Sequence, residues 1–264
     1  MQESAGSMVR QWRLRRRLSQ LKLAHSAGVS PRHLSYIETG RSNPTSGMLL
    51  RLCDQLEVPL RQQNQILLAG GFAPAHPEHG LGDAPLADVN HALESILRAQ
   101  LPSPALVIDR HWDLVTANNA AYSLFDDVDP ALLEPPINVI RLTLSANGLA
   151  PRIVNMDQWR SALMHRIRSE YSATGGTDLA ALLSEFAPSP SNPVVEKYFF
   201  VVPLQIREAT GTVLSFISTT TVFGTPREVT LSELAIETFY PADQATRHHL
   251  ETKGTIAKAH SAGR

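Results

Sequence analysis

The chain has 264 residues, 43% of them hydrophobic and 19% charged, with a net charge of −1. That length and apolar content give room for two packed domains and exclude a chain that is disordered throughout. A single cysteine, Cys53, excludes an intrachain disulfide and a cysteine-based metal cluster.

Residues 8–18 read as a helix with Met8, Val9 and Trp12 inward and Leu18 closing it; Arg10, Arg13, Arg15, Arg16 and Arg17 cover most of the rest. Ser19 and Ser30 are N-caps for two short helices, 19–26 and 31–39, because each hydroxyl can accept an orphan backbone N–H. Pro31 follows at a first helical position, where a missing N–H costs nothing. Gly28 falls at the turn between the two, and Gly40 terminates the second. Thr45 caps a fourth helix with Met48, Leu49, Leu52 and Leu56 at helical spacing, and Cys53 falls in that run as a small core residue. Pro59 opens a fifth helix that stops at Gly70-Gly71. Residues 1–72 are thus expected to form one all-α, five-helix module.

Residues 73–85 mix Pro, Gly and His and read as a linker. A helix over 86–100 follows. Ala105–Asp109 and Trp112–Ala117 read as two strands across a tight turn, then Asn118–Phe125 as a helix. Short helices are expected around Val139 to Leu142 and over 177–186, with a long amphipathic one over 157–172 whose Trp159, Leu163, Ile167 and Tyr171 recur every four residues. Strand character returns at Val194–Ile206, Thr212–Phe223 and Ser232–Tyr240; in the last, Leu234, Ile236 and Thr238 alternate with Ala235, Glu237 and Phe239. Residues 86–242 are therefore expected to be an α+β domain with an antiparallel sheet. Residues 243–264 are polar without periodicity and read as a flexible tail.

Charge divides along the same boundary. Residues 1–72 hold 10 Lys and Arg against 4 Asp and Glu, a net of +6; the remainder holds 14 against 21, a net of −7. A basic module on an acidic remainder fits a nucleic-acid binder joined to a second function. The helix pair around Gly28 reads as a helix-turn-helix, whose second helix meets base edges with its N-terminal end. That end is Ser30, Pro31, Arg32 and His33, with Tyr36 a turn further on. Arg32 can donate bidentately to guanine; Ser30 and His33 can reach a base or phosphate; Pro31 at most touches a thymine methyl. Tyr36 either shares that face or packs on the domain surface. Gln20 and Arg41 are placed to hold phosphates. Arg13 and Glu38 fall at inward positions, where an ion pair would hold the recognition helix without touching DNA.

The second domain carries no catalytic constellation. The close His groups, His76/His79 in the linker and His248-His249 in the tail, lack convergent carboxylates or cysteine, so neither metal nor cofactor is expected. Nucleotide and hydrolase motifs are absent, and the chain is expected not to be an enzyme. Phe199, Val201, Leu214, Phe216 and Phe239 either line a concave, ligand-binding face of the sheet or form its core. Asn118 and Arg141, polar residues inside apolar patterns, are candidates for a ligand head group, with an exposed helix position the alternative for Arg141. No apolar run approaches the roughly 18 residues of a membrane span, and the N-terminus lacks a secretion signal. A cytoplasmic location is expected.

Over 9–58, Arg13, Leu18-Ser19-Gln20, Leu23-Ala24, Gly28-Val29-Ser30, Ile37-Glu38-Thr39-Gly40, Pro44 and Leu49/Leu52 resemble the lambda-repressor-like, xenobiotic-response-element-type helix-turn-helix family. That resemblance implies dimers on partly palindromic operators. Over about 90–241, Pro104–Ala121, Asn138–Leu142, Asp157-Gln158-Trp159 and Leu214–Thr221 resemble the ligand-binding domain of MmyB-like transcription regulators. This second resemblance implies a PAS-like sheet with a pocket for a small apolar ligand of the fatty-acid class. The leading expectation is a DNA-binding transcriptional regulator that senses such a ligand as a homodimer. The alternative is a DNA-binding scaffold or antitoxin-like protein whose second domain binds a protein partner.

Overall fold

Side-chain caps set where the helices of the N-terminal region begin. Ser4, Ser19, Ser30 and Thr45 each accept the backbone N–H three residues on, opening α1 (Ala5–Arg15), α2 (Gln20–Ser26), α3 (Pro31–Glu38) and α4 (Ser46–Gln55). Helix α5 (Leu60–Ala69) follows Pro59. Helix α1 starts three residues before the expected position because Ser4 supplies a cap that periodicity alone does not reveal. The computed structural model describes residues 3–187 and 201–262. The chain divides into two units, one of Met1–Gly80 with Gly224–Ser232, the other of Leu81–Phe223 with Glu233–Arg264.

The first unit packs Val9, Trp12, Leu23, Leu34, Ile37, Leu49, Leu52, Leu56 and Ile66 into one core. Gly28 turns the chain at φ +66°, a left-handed conformation that suits glycine. Gly6 meets a different need: a Cβ there would lie 1.9 Å from the carbonyl oxygen of Ile37, so α1 and α3 touch backbone to backbone.

Part of the expected linker is folded onto this unit. Asn64 Oδ1 accepts from the backbone N–H of Ala75 and His76, and its Nδ2 donates to the His76 carbonyl. The segment 224–232, which carries the short helix α11 (Val229–Ser232), belongs here too. Glu228 accepts from His79 N at 2.8 Å and Leu231 N at 2.7 Å, Val229 N donates to Pro77 O at 2.9 Å, and Thr230 donates to His79 O at 2.7 Å.

Among the described residues, the second unit holds a five-stranded antiparallel sheet in the order β2-β1-β5-β4-β3. Its strands are β1 (Ala105–Ile108), β2 (Leu114–Ala117), β3 (Leu204–Arg207), β4 (Val213–Val222) and β5 (Ala235–Pro241). The helices are α6 (Ala87–Ala99), α7 (Asn119–Tyr122), α8 (Val139–Leu144), α9 (Met156–Thr174), α10 (Thr177–Glu185) and α12 (Gln244–Ala262). Alternation places Leu106 and Ile108 of β1, Leu204 and Ile206 of β3, Leu214 and Phe216 of β4, and Phe239 of β5 in one core with Ile140, Leu142, Trp159, Met164 and Ile167.

Two expectations change in this unit. Residues 232–234 precede the strand, because 229–232 is helical. The expected tail forms α12, since Asp243 accepts from Thr246 N at 2.7 Å, Thr246 accepts from Ser215 N at 3.0 Å, and Leu250 enters the core. One threonine and one leucine a turn apart anchor it, too short a pattern to read as periodicity. The expected strand over 194–206 is seen only as 204–207: residues 201–203 are not strand, and 194–200 lie outside the described residues.

Candidate DNA interface and ligand cavity

Helix α3 is held by a polar clamp inside the first unit. Arg13 donates from Nε to Glu38 Oε1 at 2.6 Å, from its second terminal nitrogen to Oε2 at 2.9 Å, and from the first to the Leu18 carbonyl at 2.9 Å. Gln20 Nε2 donates to Glu38 Oε2 at 2.7 Å. Glu38 is almost wholly buried, its side chain 1% exposed. Burial pushes its carboxyl pKa up, but hydrogen bonds from Arg13 and Gln20 and the charges of Arg13 and Arg10 outweigh that and hold it below the usual range. A fork-on-carboxylate pair of this kind fixes geometry as well as charge. The ion pair expected from the inward positions is therefore present, and Gln20 joins it to the start of α2.

The clamp leaves the N-terminal end of α3 outward. Ser30, Pro31 and Arg32 are exposed, as is Arg41; His33 and Tyr36 are half-buried. Ser30 Oγ caps His33 N at 3.1 Å, so it is also committed to the helix start. Arg32 Nε donates to the Tyr36 hydroxyl at 3.0 Å, and its guanidinium carbon lies 5.4 Å from the ring centre. Tyr36 thus shares a face with Arg32. One of Gln20's two Nε2 hydrogens is engaged by Glu38, so its place toward a phosphate is narrower than spacing suggests. Among the arginines of α1 and its end, Arg16 donates to the Leu56 and Glu57 carbonyls at 2.8 Å each, tying down the end of α4.

In the second unit, two adjoining cavities of about 40 Å³ each lie between the sheet and α8 and α9. Leu106, Val139, Thr143, Trp159 and Phe239 line both. The first also has Trp112, Arg166 and Glu237; the second is otherwise lined by apolar side chains such as Phe125, Leu142 and Leu204. Arg166 donates to Glu237 at 2.6 Å and Glu170 at 3.2 Å, and its guanidinium lies 4.5 Å from the Trp112 ring centre. Trp112 Nε1 donates to Glu170 at 2.8 Å, and Thr220 donates to Glu237 at 2.8 Å. Desolvation opposes the charge on Arg166, but hydrogen bonding and attraction from Glu237 and Glu170 exceed it, so its pKa stays above the ordinary arginine value. Trp159 is 6% exposed, and its Nε1–H has no hydrogen-bond partner among the described residues.

Of the sequence-derived pocket residues, Phe239 lines both cavities. Leu214 and Phe216 are buried core, Phe216 edge-on to Phe239 at 6.4 Å. Val201 is 51% exposed, and Phe199 lies outside the described residues. Asn118 is a structural cap: its Oδ1 accepts from Ala121 N and Ala105 N, and its Nδ2 donates to the Leu97 and Ser103 carbonyls. Its four hydrogen bonds leave nothing for a head group. Arg141 is half-exposed and forks onto Glu185 at 2.9 to 3.2 Å, away from both cavities. The polar side chains lining the cavities are instead Thr143, Arg166, Ser218, Glu237 and the indole of Trp159. Their signal was in the sequence: Arg166 lies seven residues after Trp159 on the same helix stripe, and Glu237 shares the strand face of Phe239.

Comparison with known proteins gives these features a family. Residues 9–63 match the helix-turn-helix family, and residues 89–252 match the MmyB-like transcription regulator ligand binding domain. The chain is 28% identical over 167 residues to the uncharacterized HTH-type transcriptional regulators Rv0023 of Mycobacterium tuberculosis and Mb0023 of Mycobacterium bovis, covering 61% of this chain and 61% of each relative. A solved structure, the clp gene regulator ClgR of Corynebacterium glutamicum, is 24% identical, covers 38% of this chain and 94% of its own, and aligns with a TM-score of 0.23. With a helix-turn-helix at its front and the matched domain over more than half its length, this chain belongs to the MmyB-like transcription regulators.

Proposed function

We propose that the chain is a cytoplasmic, non-enzymatic transcriptional regulator that binds operator DNA through its helical unit and senses a small, apolar, fatty-acid-like ligand through its sheet unit. The observation that carries the reading is the outward N-terminal end of α3, with Ser30, Pro31 and Arg32 exposed on a basic unit and Glu38 clamped behind them. Ser30, Arg32, His33 and Tyr36 face the groove, and Gln20 and Arg41 flank them toward the phosphates. A homodimer follows from the paired half-sites that such helices address.

The strand order β2-β1-β5-β4-β3 supports a PAS-like sheet, and the apolar second cavity supports a ligand with an apolar tail. The cavities are small: about 40 Å³ each holds a few waters at about 10–15 Å³ each, not an acyl chain. A ligand of that size therefore requires the cavity walls to move apart, and it acts by favouring that opened state. The strap 224–232 is part of the helical unit and lies in the chain between β4 and β5.

Selection of bound duplexes from a random library, with and without lipid extract, tests the reading. A defined operator whose retention falls steeply with salt and changes with extract supports it. Absence of any enriched duplex refutes the DNA arm, and enrichment indifferent to lipid refutes the sensing arm.

A further inference from the structure

Two arginines of the helical unit are held in different ways. Arg13 forks side-on, with Nε and a terminal nitrogen on the two oxygens of Glu38, and is committed to the fold. Arg32 has only its Nε engaged, by the Tyr36 hydroxyl at 3.0 Å, with its guanidinium carbon 5.4 Å from the ring centre. Among the described residues its two terminal nitrogens have no partner. A guanidinium offers a side fork that includes Nε and an end fork made by the two terminal nitrogens. With Nε on Tyr36 the side fork is occupied, and the end fork is left to grip two acceptors at once. Tyr36 lies one turn beyond Arg32 on α3, so ring and hydroxyl restrain the arginine from a helix position.

The neighbouring residues concentrate the reading on this one side chain. Ser30 Oγ caps His33 N, Pro31 carries no donor, and His33 is half-buried. A long exposed side chain loses rotamer freedom when it docks, and one already held in the docking geometry loses less. Guanine presents paired acceptors, O6 and N7, in the major groove; adenine sets an N6 donor beside its N7 and would meet donor with donor.

We infer, on the DNA-binding reading above, that Tyr36 is a positioning residue for base recognition: its hydroxyl takes Nε of Arg32, so that the guanidinium meets one guanine of each half-site end-on, its two terminal N–H groups donating to O6 and N7. Tyr36 touches no base in this arrangement and acts through Arg32.

Anisotropy titrations of the full chain test this, on the duplex most enriched by the native protein from a random library and on copies with single guanines replaced by 7-deazaguanine. One such replacement per half-site is expected to weaken native binding about ten-fold. Tyr36→Phe keeps the ring and removes the hydroxyl. It is expected to weaken binding to the unmodified duplex about five-fold and to cut the 7-deazaguanine effect to about two-fold. The melting temperature and the slope of affinity against salt should not change, because neither a core contact nor a phosphate contact is lost. In an Arg32→Ala background the same Tyr36→Phe change is expected to have no further effect, since the hydroxyl then has nothing to hold. Binding by Tyr36→Phe within about two-fold of native, a loss that persists beside Arg32→Ala, or the lack of any guanine whose N7 matters to the native chain overturns the assignment while the DNA-binding reading stands. If no duplex is enriched, the DNA-binding reading and this inference fall together.

Discussion

Replacing Arg13 with methionine isolates the clamp behind the recognition helix. Methionine keeps most of the length and apolar character of the side chain and removes three guanidinium hydrogen bonds, two to Glu38 and one to the Leu18 carbonyl. Glu38, at 1% exposure, stays buried without its cation. Removing one partner of a buried pair costs about 3–5 kcal/mol. In a unit of this size 1 kcal/mol moves the melting temperature by about 4–8 °C, so a fall on the order of 20 °C is expected by calorimetry at neutral pH. The pH dependence gives a second, sharper readout. In the native protein the Glu38 pKa is lowered, so its contribution is full above the ordinary carboxylate pKa and is lost as pH falls through the lower folded value. In Arg13→Met, desolvation acts without the guanidinium and raises that pKa, so stability is lost as pH rises through it. The gap between native and variant should therefore narrow as pH falls from neutral to about pH 4, where the variant's carboxyl is protonated. Arg13→Met with Glu38→Met should recover much of the loss. A single variant that melts within about 2 °C of the native protein at neutral pH, or a gap that widens on acidification, refutes the clamp as described.

Three further outcomes follow from local geometry. Gly6→Ala should destabilise the first unit by about 3 kcal/mol, because a Cβ 1.9 Å from the Ile37 carbonyl outweighs the roughly 1 kcal/mol of helix propensity that alanine adds; an unchanged or raised melting temperature contradicts the close approach. Glu228→Ala should leave the amides of His79 and Leu231 without their acceptor, at about 2 kcal/mol, and speed their hydrogen exchange some 30-fold; unchanged protection would show that the strap is held by other contacts. Cys53 is 1% exposed, and burial, with the nearby charge of Asp54, pushes its thiol pKa up to about 12. It should therefore resist thiol reagents in the native protein and react only on unfolding; rapid native labelling would contradict its placement.

The first unit was legible because its signals are local. Caps at Ser19, Ser30 and Thr45, Pro31 at a helix start and Gly28 at a turn each act within four residues, and each appears where the sequence places it. The Arg13–Glu38 pair spans 25 positions, yet two opposite charges at inward helix positions announce it. The cavity was less legible. Arg141 breaks an apolar pattern just as a ligand group would, but its long side chain reaches outward to Glu185, a partner 44 residues away that no periodicity names. Asn118 looks equally functional, and its four hydrogen bonds go to a cap and to backbone from neighbouring elements. Arg166 and Glu237 do not stand out in the sequence, because one reads as the edge of a helix stripe and the other as an alternating strand residue. Only their meeting across α9 and β5 makes them a site.

The central claim is that the N-terminal end of α3 reads bases. Affinity of the native chain and of Arg32→Ala should be measured across an operator and its single-base variants, at fixed salt. The account predicts about 10- to 100-fold weaker binding for the variant on the operator and a loss of discrimination confined to one base pair per half-site. Equal affinity and an unchanged base profile in a variant that melts like the native protein would contradict it.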